Sequence, residues 1–419
     1  MTRTERQVEC IKKWIASKGK GSIEAATGFG KTRIGLTAIQ KLLEKYPGLR
    51  ILIVVPTTTL KNQWQTEIDN WGFSFNAEVQ VINTVIKHNW TCDFLILDEE
   101  HRYNSDDFSR IFNCVKYKLI LGLTATFERL DGKHVIMNKY CPIVDVVSVM
   151  ECLANGWISE YKEYQVLIEV DDINNYKELN KEFIRYFEFF NYDFDSAMKC
   201  CGPEGWKYKL SLRDKMYVGS DENKKKEILN AITINSMGLM RTLQKRKAFI
   251  NNHPKKIEIA RKIIEARSDK KIITFSNNIK MAECIQNGKN VYSGKTSKNK
   301  SRVMIEEFNA QQTGVLNTIK KADEGLDISG LSVAIILGTD SSETKARQRR
   351  GRAIRKEGDK LAEVFYIIIK DTVEEKWLKN SHKRDSNYIT IDEKGLEQVL
   401  RGEQPDLYKP KLGEIMFRF

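Results

Sequence analysis

Residues 25–32 hold the clearest potential for chemistry in this chain, with the sequence Ala-Ala-Thr-Gly-Phe-Gly-Lys-Thr. Two glycines in such a loop let the backbone turn tightly, so that its N–H groups point at phosphate oxygens, and the start of a following helix adds the positive end of its dipole. The lysine would reach the β- and γ-phosphates, and the last threonine would ligate magnesium. The first glycine of the P-loop pattern is replaced by Ala25, and a glycine-rich turn before a helix is the alternative explanation. The residues predicted to bind the nucleotide here are Thr27, Gly28, Gly30, Lys31 and Thr32.

Two adjacent carboxylates follow an apolar run that ends at Leu97. Asp98 is expected to hold the magnesium together with Thr32, and Glu99 is expected to polarise the attacking water. Paired carboxylates at the end of a buried strand are costly unless a cation or water lies nearby. An exposed acidic turn would explain the charges but not their position directly after the apolar run. The pair and the phosphate loop together predict hydrolysis of ATP with Mg²⁺ as a cofactor.

A run of cations, residues 347–356, lies far downstream. Arg352 and Arg355 are three residues apart and would share one face of a helix. Arginines set against the γ-phosphate stabilise the charge that develops during transfer, an effect worth roughly 10³ to 10⁵ in rate. A plain basic patch is the alternative, although Gln348 has no reason to stand inside one. The separation from Lys31 predicts that ATP lies between two domains and closes them.

Parallel strands are the elements that would position these groups. Continuous apolar runs at 51–55, 94–97 and 119–123 have the composition of strands buried on both faces, and the candidate residues follow them directly. Ligands of open α/β sheets bind beyond the carboxyl ends of the strands, so these residues should line one crevice. Similar runs return after residue 254. The sequence therefore predicts an α/β fold with two parallel-sheet domains in tandem.

A segment without this alternation, residues 171–246, separates the two α/β halves. Its aromatic residues follow a helical spacing, which suits either a stacking platform for bases or, the interpretation we favour, an amphipathic helix that packs its own core. A lysine-rich stretch at 207–226 is mostly a solvated basic face, with contact to a nucleic-acid backbone as the alternative. The aromatic residues are Phe183, Tyr186, Phe187, Phe190 and Phe194. The predicted boundaries are 1–160 for the first domain, 171–246 for a mostly helical insertion, 250–380 for the second domain and 381–419 for a C-terminal tail.

The bulk composition of the 419 residues suits a folded protein of two to three domains with a polyanionic partner. A formal net charge of +13 favours nucleic acid, with a membrane surface as the alternative. No apolar run approaches the roughly 18 residues of a membrane span, and the amino terminus lacks the apolar segment of a signal peptide. The 8 cysteines show no C-x-x-C spacing, which indicates reduced thiols. We therefore expect a cytoplasmic protein with no membrane partner, and the residue usage is compatible with a phage or virus acting in its host.

Taken in order, these motifs resemble those of the superfamily 2 helicases, with two RecA-like domains and a DExH-type second motif at 98–101. The resemblance covers about residues 5–375 and leaves the tail out. It implies that Glu99 is the catalytic base, that Gln7 reads adenine, and that His101 and Gln348 couple the ATP site to motif III. The residues that the motif matches assign to nucleotide contact from the second domain are Gly325 and Asp327. Those assigned to the link with nucleic acid are Thr124 and Thr126, and those assigned to nucleic-acid contact are Pro56, Thr57, Thr84, Ser276 and Thr318.

Within that superfamily, residues 122–132 are similar to the XPB and UvsW group of DNA helicases. XPB proteins carry an Arg-Glu-Asp triplet after motif III. Here the triplet is Arg129-Leu130-Asp131, which lacks the middle carboxylate of a wedge. XPB-like enzymes also insert a thumb-like module between their RecA-like domains, at the place of residues 171–246. The resemblance implies 3′ to 5′ translocation with unwinding or branch migration of DNA.

The sequence thus predicts an ATP-dependent DNA helicase or translocase that remodels single-stranded, forked or branched DNA in repair, recombination or replication. The motor of a restriction system and an RNA helicase remain alternatives, because such motifs grip the sugar–phosphate backbone and do not distinguish DNA from RNA. A non-catalytic nucleic-acid-binding module is disfavoured, since every residue of the hydrolytic set is present.

Overall fold

Two parallel sheets form the framework of this protein. A computed structural model describes residues 1–104, 108–125, 138–286, 291–293, 296–319, 328–338, 361–382 and 388–409. Within these residues one sheet has six strands and the other has seven, with a short two-stranded pair beside the first. All the recorded strand pairs are parallel. The predicted α/β class with two parallel sheets is confirmed.

The first sheet carries the candidate residues of the amino-terminal half. Its strands are β1 (Lys20–Ala25), β2 (Ile51–Val55), β3 (Ala77–Val81), β5 (Phe94–Asp98), β7 (Leu119–Thr124) and β8 (Ile143–Val147), and the short pair is β4 (Trp90–Thr91) with β6 (Val115–Lys116). The strand order is β3-β2-β5-β7-β1-β8. Helices cover both faces, so β2 and β5 are buried along their whole length. Because all the strands run the same way, their carboxyl ends share one edge.

The helices of this half are α1 (Arg3–Ala16), α2 (Lys31–Lys45), α3 (Thr58–Asn70), α4 (Ile82–Val85), α5 (Ile111–Cys114) and α6 (Val149–Ala154), with 3₁₀ turns at Glu100–Asn104 and Phe108–Arg110. α1 begins with a capping box, in which Thr2 and Glu5 satisfy each other's backbone N–H groups. Arg6 ties this helix to the sheet, since its guanidinium donates to Asp145 on β8 at 3.1 Å and to Glu151 on α6 at 2.7 Å.

The second sheet comprises β9 (Tyr161–Ile168), β10 (Lys271–Ser276), β11 (Val291–Tyr292), β12 (Gly314–Ile319), β13 (Val333–Ile336), β14 (Ala362–Ile369) and β15 (Tyr388–Ile391). Their order is β11-β12-β10-β13-β14-β9-β15. Two strands of this sheet therefore lie outside the predicted second domain, 250–380: β9 precedes it in the sequence and β15 follows it. Thr390 of β15 pairs beside Gln165 of β9, 225 residues earlier.

The tail proposed at 381–419 needs a correction, because residues 388–391 form part of this sheet. A strand of four residues is too short to show an alternation, and nothing local identifies its partner β9. The helix that follows it, α15 (Glu393–Leu400), buries Leu396 and Val399 in the core of the same half.

Four helices form the insertion, and among the described residues four more belong to the second half before β15. The insertion helices are α7 (Ile173–Glu188), α8 (Phe194–Lys199), α9 (Gly205–Met216) and α10 (Glu222–Asn252), and the others are α11 (Pro254–Ala266), α12 (Ile279–Ile285), α13 (Lys298–Ala310) and α14 (Val373–Ser381), which precedes β15. Phe190 is buried, with Phe183, Tyr186 and Phe187 packed around it, whereas Phe194 is exposed. Most of the aromatic stripe therefore packs the insertion's own core, as the favoured interpretation expects.

Of the helices that are described, none combines the length and the apolar character that a bilayer crossing requires.

Candidate nucleotide site and nucleic-acid edge

The phosphate loop connects β1 to α2 at the carboxyl edge of the first sheet. Gly28 and Gly30 have positive φ angles of 91° and 98°, a region that L side chains rarely adopt. A Cβ added at Gly30 would also lie 2.7 Å from Nε2 of Gln7. α2 begins at Lys31, and its first turn offers free backbone N–H groups and the positive end of the helix dipole. The loop, which includes Thr27, therefore has the shape and charge of an anion cradle.

Two side chains of α1 hold this loop. Nε2 of Gln7 donates a hydrogen bond to the carbonyl oxygen of Phe29 at 2.8 Å. The Arg3 guanidinium donates from Nε to the same oxygen at 2.8 Å and from Nη2 to the carbonyl oxygen of Gly28. Oε1 of Gln7 is buried and has no hydrogen-bond partner within the described residues, which leaves it available to a base donor. Sequence reasoning missed Arg3, although it lies one helical turn before Gln7 on the same face.

The acid pair lies beside the phosphate loop. Asp98 ends β5, and Glu99 follows it with a φ of +50°, a conformation that costs a non-glycine residue roughly 1–2 kcal/mol. This turn sets Oε1 of Glu99 3.2 Å from Nζ of Lys31 and Oε2 3.4 Å from Nδ1 of His101. Strained residues of this kind are held in place by their surroundings and cluster at functional sites. The geometry brings the predicted base and the predicted phosphate-binding lysine into direct contact.

Burial and charge separate the pKa values of the two carboxyls. Burial, and then the charge of Glu99, raises the pKa of Asp98 to about 6. Burial acts on Glu99 in the same direction, but the Lys31 ammonium and His101 outweigh it, so the pKa of Glu99 is lowered. Glu99 is therefore ionised at neutral pH, as a general base must be. A cation bound at Asp98 would compensate the cost of its burial.

A hydrogen bond that sequence reasoning missed orients Asp98. Nε1 of the buried Trp64 on α3 donates to Oδ2 of Asp98 at 2.8 Å. The indole fits because a Cβ at Gly35 would lie 2.7 Å from its Cη2. No sequence pattern marks this tryptophan, which precedes Asp98 by 34 residues on another element. The carboxylate of Asp98 and the hydroxyl of Thr32, on the first turn of α2, are oxygen ligands of the kind that Mg²⁺ prefers, so the residues present fit this cation.

The predicted coupling residues meet beside Glu99. Nδ1 of His101 lies 3.1 Å from Oγ1 of Thr124, and both residues are buried. Thr124 ends β7, which pairs with β5 on one side and with β1 on the other. One imidazole ring therefore lies between the Glu99 carboxylate and the end of β7. The companion threonine of motif III, Thr126, lies outside the described residues.

The residues of the first half that are predicted to contact nucleic acid lie farther along the same edge. Pro56 and Thr57 follow β2, and the exposed Thr84 lies on α4 after β3. Oγ1 of Thr57 accepts a hydrogen bond from the backbone N–H of Leu60 at 3.3 Å and caps α3. The strand order puts β3 and β2 at one end of the edge, the acid pair on β5 next, and the phosphate loop of β1 beyond β7. The carboxylates that are predicted to be catalytic thus lie between the two predicted binding regions.

The second sheet positions two more of the predicted contacts. Ser276 ends β10, and its buried Oγ has no hydrogen-bond partner in the part of the chain that is described. Thr318 on β12 is fully buried, and its hydroxyl donates to the carbonyl oxygen of Thr274 at 2.6 Å. The buried hydroxyl of Thr318 therefore stabilises the sheet. It is not exposed for the contact with nucleic acid that the motif match predicts. The other predicted residues of this half lie outside the described residues: Gln348, Arg352, Arg355, Gly325 and Asp327.

Two protein-family models match the chain. The family described as Type III restriction enzyme, res subunit, matches residues 1–91 and 74–129. The family described as Helicase conserved C-terminal domain matches residues 255–357. The first match contains the phosphate loop and the acid pair, and the second contains β10 and the distant arginines. The insertion lies between the two matches.

Two curated proteins and one solved structure resemble the chain over most of its length. A DNA 3′-5′ translocase, XPB2 of Sulfurisphaera tokodaii, is 28% identical over 88% of this chain and 82% of its own. A putative ATP-dependent RNA helicase of Methanocaldococcus jannaschii is 25% identical over 87% of this chain and 58% of its own. The structure of S. cerevisiae Dbp5 bound to RNA and ADP BeF3 shares the fold with a TM-score of 0.59 and 12% identity, over 94% of this chain and 91% of that one.

Proposed function

Because this chain is a superfamily 2 helicase related to XPB, and therefore a nucleic-acid-dependent ATPase, we propose that it unwinds or branch-migrates forked or branched DNA in the 3′ to 5′ direction. The ligands in this proposal are ATP, Mg²⁺ and DNA, and the processes served are repair, recombination or replication. The relative named as a DNA 3′-5′ translocase, at 28% identity, supports both the polymer and the direction. All 8 cysteines are free thiols, which supports action in a reducing cytoplasm.

One observation carries the proposal, and it is the continuous set of contacts that leads from the phosphate loop to motif III. Lys31 contacts Glu99 at 3.2 Å, and Glu99 contacts His101 at 3.4 Å. His101 in turn lies 3.1 Å from Thr124 at the end of β7. The loops after β2 and β3, with the predicted nucleic-acid contacts, leave from the same edge. Contacts thus connect the phosphate loop to the end of β7, on the sheet edge that also carries the predicted nucleic-acid contacts.

Glu99 is the residue that we propose accepts the proton of the attacking water. Its lowered pKa keeps the carboxylate ionised, and its strained backbone fixes the direction of its side chain. Lys31 is expected to exchange its contact with Glu99 for phosphate oxygens, which frees the carboxylate to orient the water. Magnesium, held by Asp98 and Thr32, would neutralise charge on the β- and γ-phosphates. Gln7 would present Oε1 to the adenine amino group.

The second half would complete the site across the cleft between the two sheets. We propose that Arg352 and Arg355 act on the γ-phosphate, with Gln348 beside them. Gly325 and Asp327 would contact the nucleotide from motif V. Closure of the two halves on ATP and their release after hydrolysis would then move the nucleic acid past Thr57 on the first sheet and Ser276 on the second.

Two other activities have a specific observation in their favour. The RNA helicase name of the 25% identical relative favours RNA as the polymer. The match to the family described as a restriction enzyme subunit favours the motor of a restriction system. Both activities would use the same hydrolytic residues. The polymer that stimulates ATP hydrolysis distinguishes an RNA helicase from our proposal. Translocation on duplex DNA without strand separation distinguishes a restriction motor from it.

The test is a panel of ATP hydrolysis rates for the full chain with single-stranded DNA, forked DNA, four-way DNA junctions, blunt duplex DNA and single-stranded RNA. We expect the DNA substrates to stimulate ATP hydrolysis more than RNA does. The strands of the forked and four-way substrates should also be separated. Forks with only a 3′ or only a 5′ single-stranded arm report the direction.

The control variant is Glu99→Gln, which should bind each polymer but hydrolyse ATP about 10²- to 10⁴-fold more slowly. Stimulation by RNA alone would replace the proposal with the RNA helicase. Stimulation by blunt duplex DNA with no strand separation on any fork would favour the restriction motor.

A further inference from the structure

The carboxyl end of the longest insertion helix is hydrogen-bonded to the loop that follows Ser276. α10 ends at Asn251 and Asn252, and the loop begins with Asn277 and Asn278. Nδ2 of Asn277 donates to Oδ1 of Asn251 at 2.6 Å. Nδ2 of Asn278 donates to Oδ1 of Asn252 at 2.7 Å and to the carbonyl oxygen of Asn251 at 3.3 Å. Three hydrogen bonds therefore join the insertion to this loop.

The same asparagines shape the carboxyl edge of the second sheet. Oδ1 of Asn278 accepts from the backbone N–H of Met281 at 2.8 Å and so caps α12. Asn277 packs against the end of β13, since a Cβ added at Gly338 would lie 2.3 Å from its Cγ. A displacement of Asn277 would thus act on Ser276, its neighbour in the sequence, and on Gly338.

A second group of contacts anchors the base of the insertion at the start of α14, which follows β14. The hydroxyl of Tyr176, on α7, accepts from the backbone N–H of Val373 at 3.1 Å and from Nη2 of Arg246 at 3.3 Å. Nε2 of His253 lies 3.0 Å from Oδ1 of Asp172, which joins the end of α10 to the start of α7. α7 and α10 are therefore joined to each other at two points, and Tyr176 also joins them to the start of α14.

The helices of the insertion pack closely enough to move together. A Cβ at Gly238 of α10 would lie 2.5 Å from the ring of Tyr186 on α7, so the two backbones approach at this point. Arg246 also lies over the Phe183 ring at 4.2 Å. A helix of 31 residues is about 46 Å long, which is enough to transmit a displacement from the far end of the insertion to its base.

We propose that α10 is a lever that positions the Ser276 loop, with Asn251 and Asn277 as the positioning residues at the contact. Displacement of the insertion by a DNA fork changes the grip of the second half on the strand through this pair. The inference rests on the proposed function, because it assigns the insertion to the nucleic acid and the Ser276 loop to strand contact. Hydrolysis itself does not require the pair, since neither asparagine lies at the nucleotide site.

An isosteric pair of variants tests this contact in the full chain. Asn251→Asp keeps an acceptor where Nδ2 of Asn277 donates, so strand separation per ATP hydrolysed on a forked duplex should stay at the parental value. Asn277→Asp removes the donor and sets a carboxylate against Oδ1 of Asn251, so the same ratio should fall by about fivefold, with basal ATP hydrolysis unchanged. Asn251→Ala removes the acceptor on α10, so strand separation per ATP hydrolysed should also fall in this variant.

Hydrogen exchange at residues 277–281, measured without nucleic acid, gives an independent readout. Asn277→Asp should lose protection there and Asn251→Asp should keep it, with both melting at the parental temperature. If the parental chain separates no strands, the proposed function is wrong, and exchange alone then decides whether α10 positions the loop. Parental protection in Asn277→Asp, or lost protection with an unchanged strand-separation ratio, would overturn the lever.

Discussion

At the scale of single residues, the neighbours of Glu99 explain why this carboxylate is suited to the predicted role of general base. Its left-handed backbone aims the side chain, Lys31 keeps it ionised, and His101 connects it to Thr124. Glutamine at this position has nearly the same shape but accepts no proton. The catalytic assignment therefore depends on charge, and it can be separated from nucleotide binding by mutation.

We predict that Glu99→Gln lowers ATP turnover by about 10² to 10⁴-fold, the usual contribution of a general base. Binding of ATP with magnesium should persist, because Asp98 and Lys31 are intact. Phosphate release and equilibrium binding of a fluorescent ATP analogue measure the two effects. Lys31→Ala is the comparison, and it should weaken nucleotide binding itself. Near-normal turnover in Glu99→Gln would remove this residue from the role of base.

Trp64→Phe should raise the magnesium concentration needed for half-maximal ATP hydrolysis by about tenfold, because partners of metal ligands typically contribute 10- to 100-fold to metal affinity. The variant removes the hydrogen bond to Asp98 and also makes a buried ring smaller, a second effect that the control variant shares. A magnesium titration of the ATPase rate measures the effect. Trp14→Phe is a matched control, since the buried Trp14 donates a bond of the same 2.8 Å length to the carbonyl oxygen of Ile120, away from the acid pair. Equal shifts in both variants would show a general loss of stability.

At the scale of elements, the docking of α1 on β8 positions the two side chains that hold the phosphate loop. Arg6 joins the helix to Asp145, and Arg3 and Gln7 on the same helix hold the loop carbonyls. Burial acts to raise the pKa of Asp145, but hydrogen bonds from Arg6 and Lys13 lower it overall. The ion pair is therefore formed in the folded chain at neutral pH.

Asp145→Asn should destabilise the fold by about 3 kcal/mol at pH 7, because it leaves Arg6 with a single carboxylate partner. The folded chain lowers the pKa of Asp145 below its ordinary value of 3.8, so its stabilisation is present above that value and is lost as the pH falls through the folded pKa. The difference between variant and parent should therefore shrink below pH 4 in melting curves. Glu151→Gln, at the more exposed partner of Arg6, should have a smaller effect. A difference that stays constant down to the lowest pH would contradict the pair.

At the scale of the whole molecule, the predicted hydrolytic residues and the insertion occupy different parts of the chain. The phosphate loop and acid pair belong to the first sheet, and the insertion is anchored on the second through Tyr176 and Asn251. The net charge of +13 acts over the whole surface and favours a polyanion without choosing a base sequence. Strand remodelling and ATP hydrolysis should therefore respond differently when the insertion is removed.

Replacing residues 171–246 with a short flexible linker should leave basal ATP hydrolysis largely intact, because every hydrolytic residue lies outside the segment. Unwinding and branch migration of forked DNA should fall sharply, since contacts near the fork would be lost. A melting curve must first show that the variant is folded. A folded variant that unwinds forks at the parental rate would exclude the insertion from this role.

Binding to single-stranded DNA should weaken steeply with salt, because contacts to the backbone release counterions. Each neutralised phosphate adds roughly −0.7 to the slope of log affinity against log salt. Fluorescence anisotropy with oligonucleotides of different sequence measures the slope and any base preference. An affinity that is flat from low to moderate salt, or a strong preference for one sequence, would contradict backbone tracking.

The sequence by itself determined the class of fold, the phosphate loop and the acid pair, because these depend on local order. Glycines at 28 and 30 fix a turn, and an apolar run before Asp98 fixes a buried strand with its carboxylate at the end. Only the tertiary structure decided which side chains hold these groups. Trp64 lies 34 residues before Asp98, Arg6 lies 139 before Asp145, and Asn251 lies 26 before Asn277. Strand pairing and helix docking bring such partners together, and no local pattern records them.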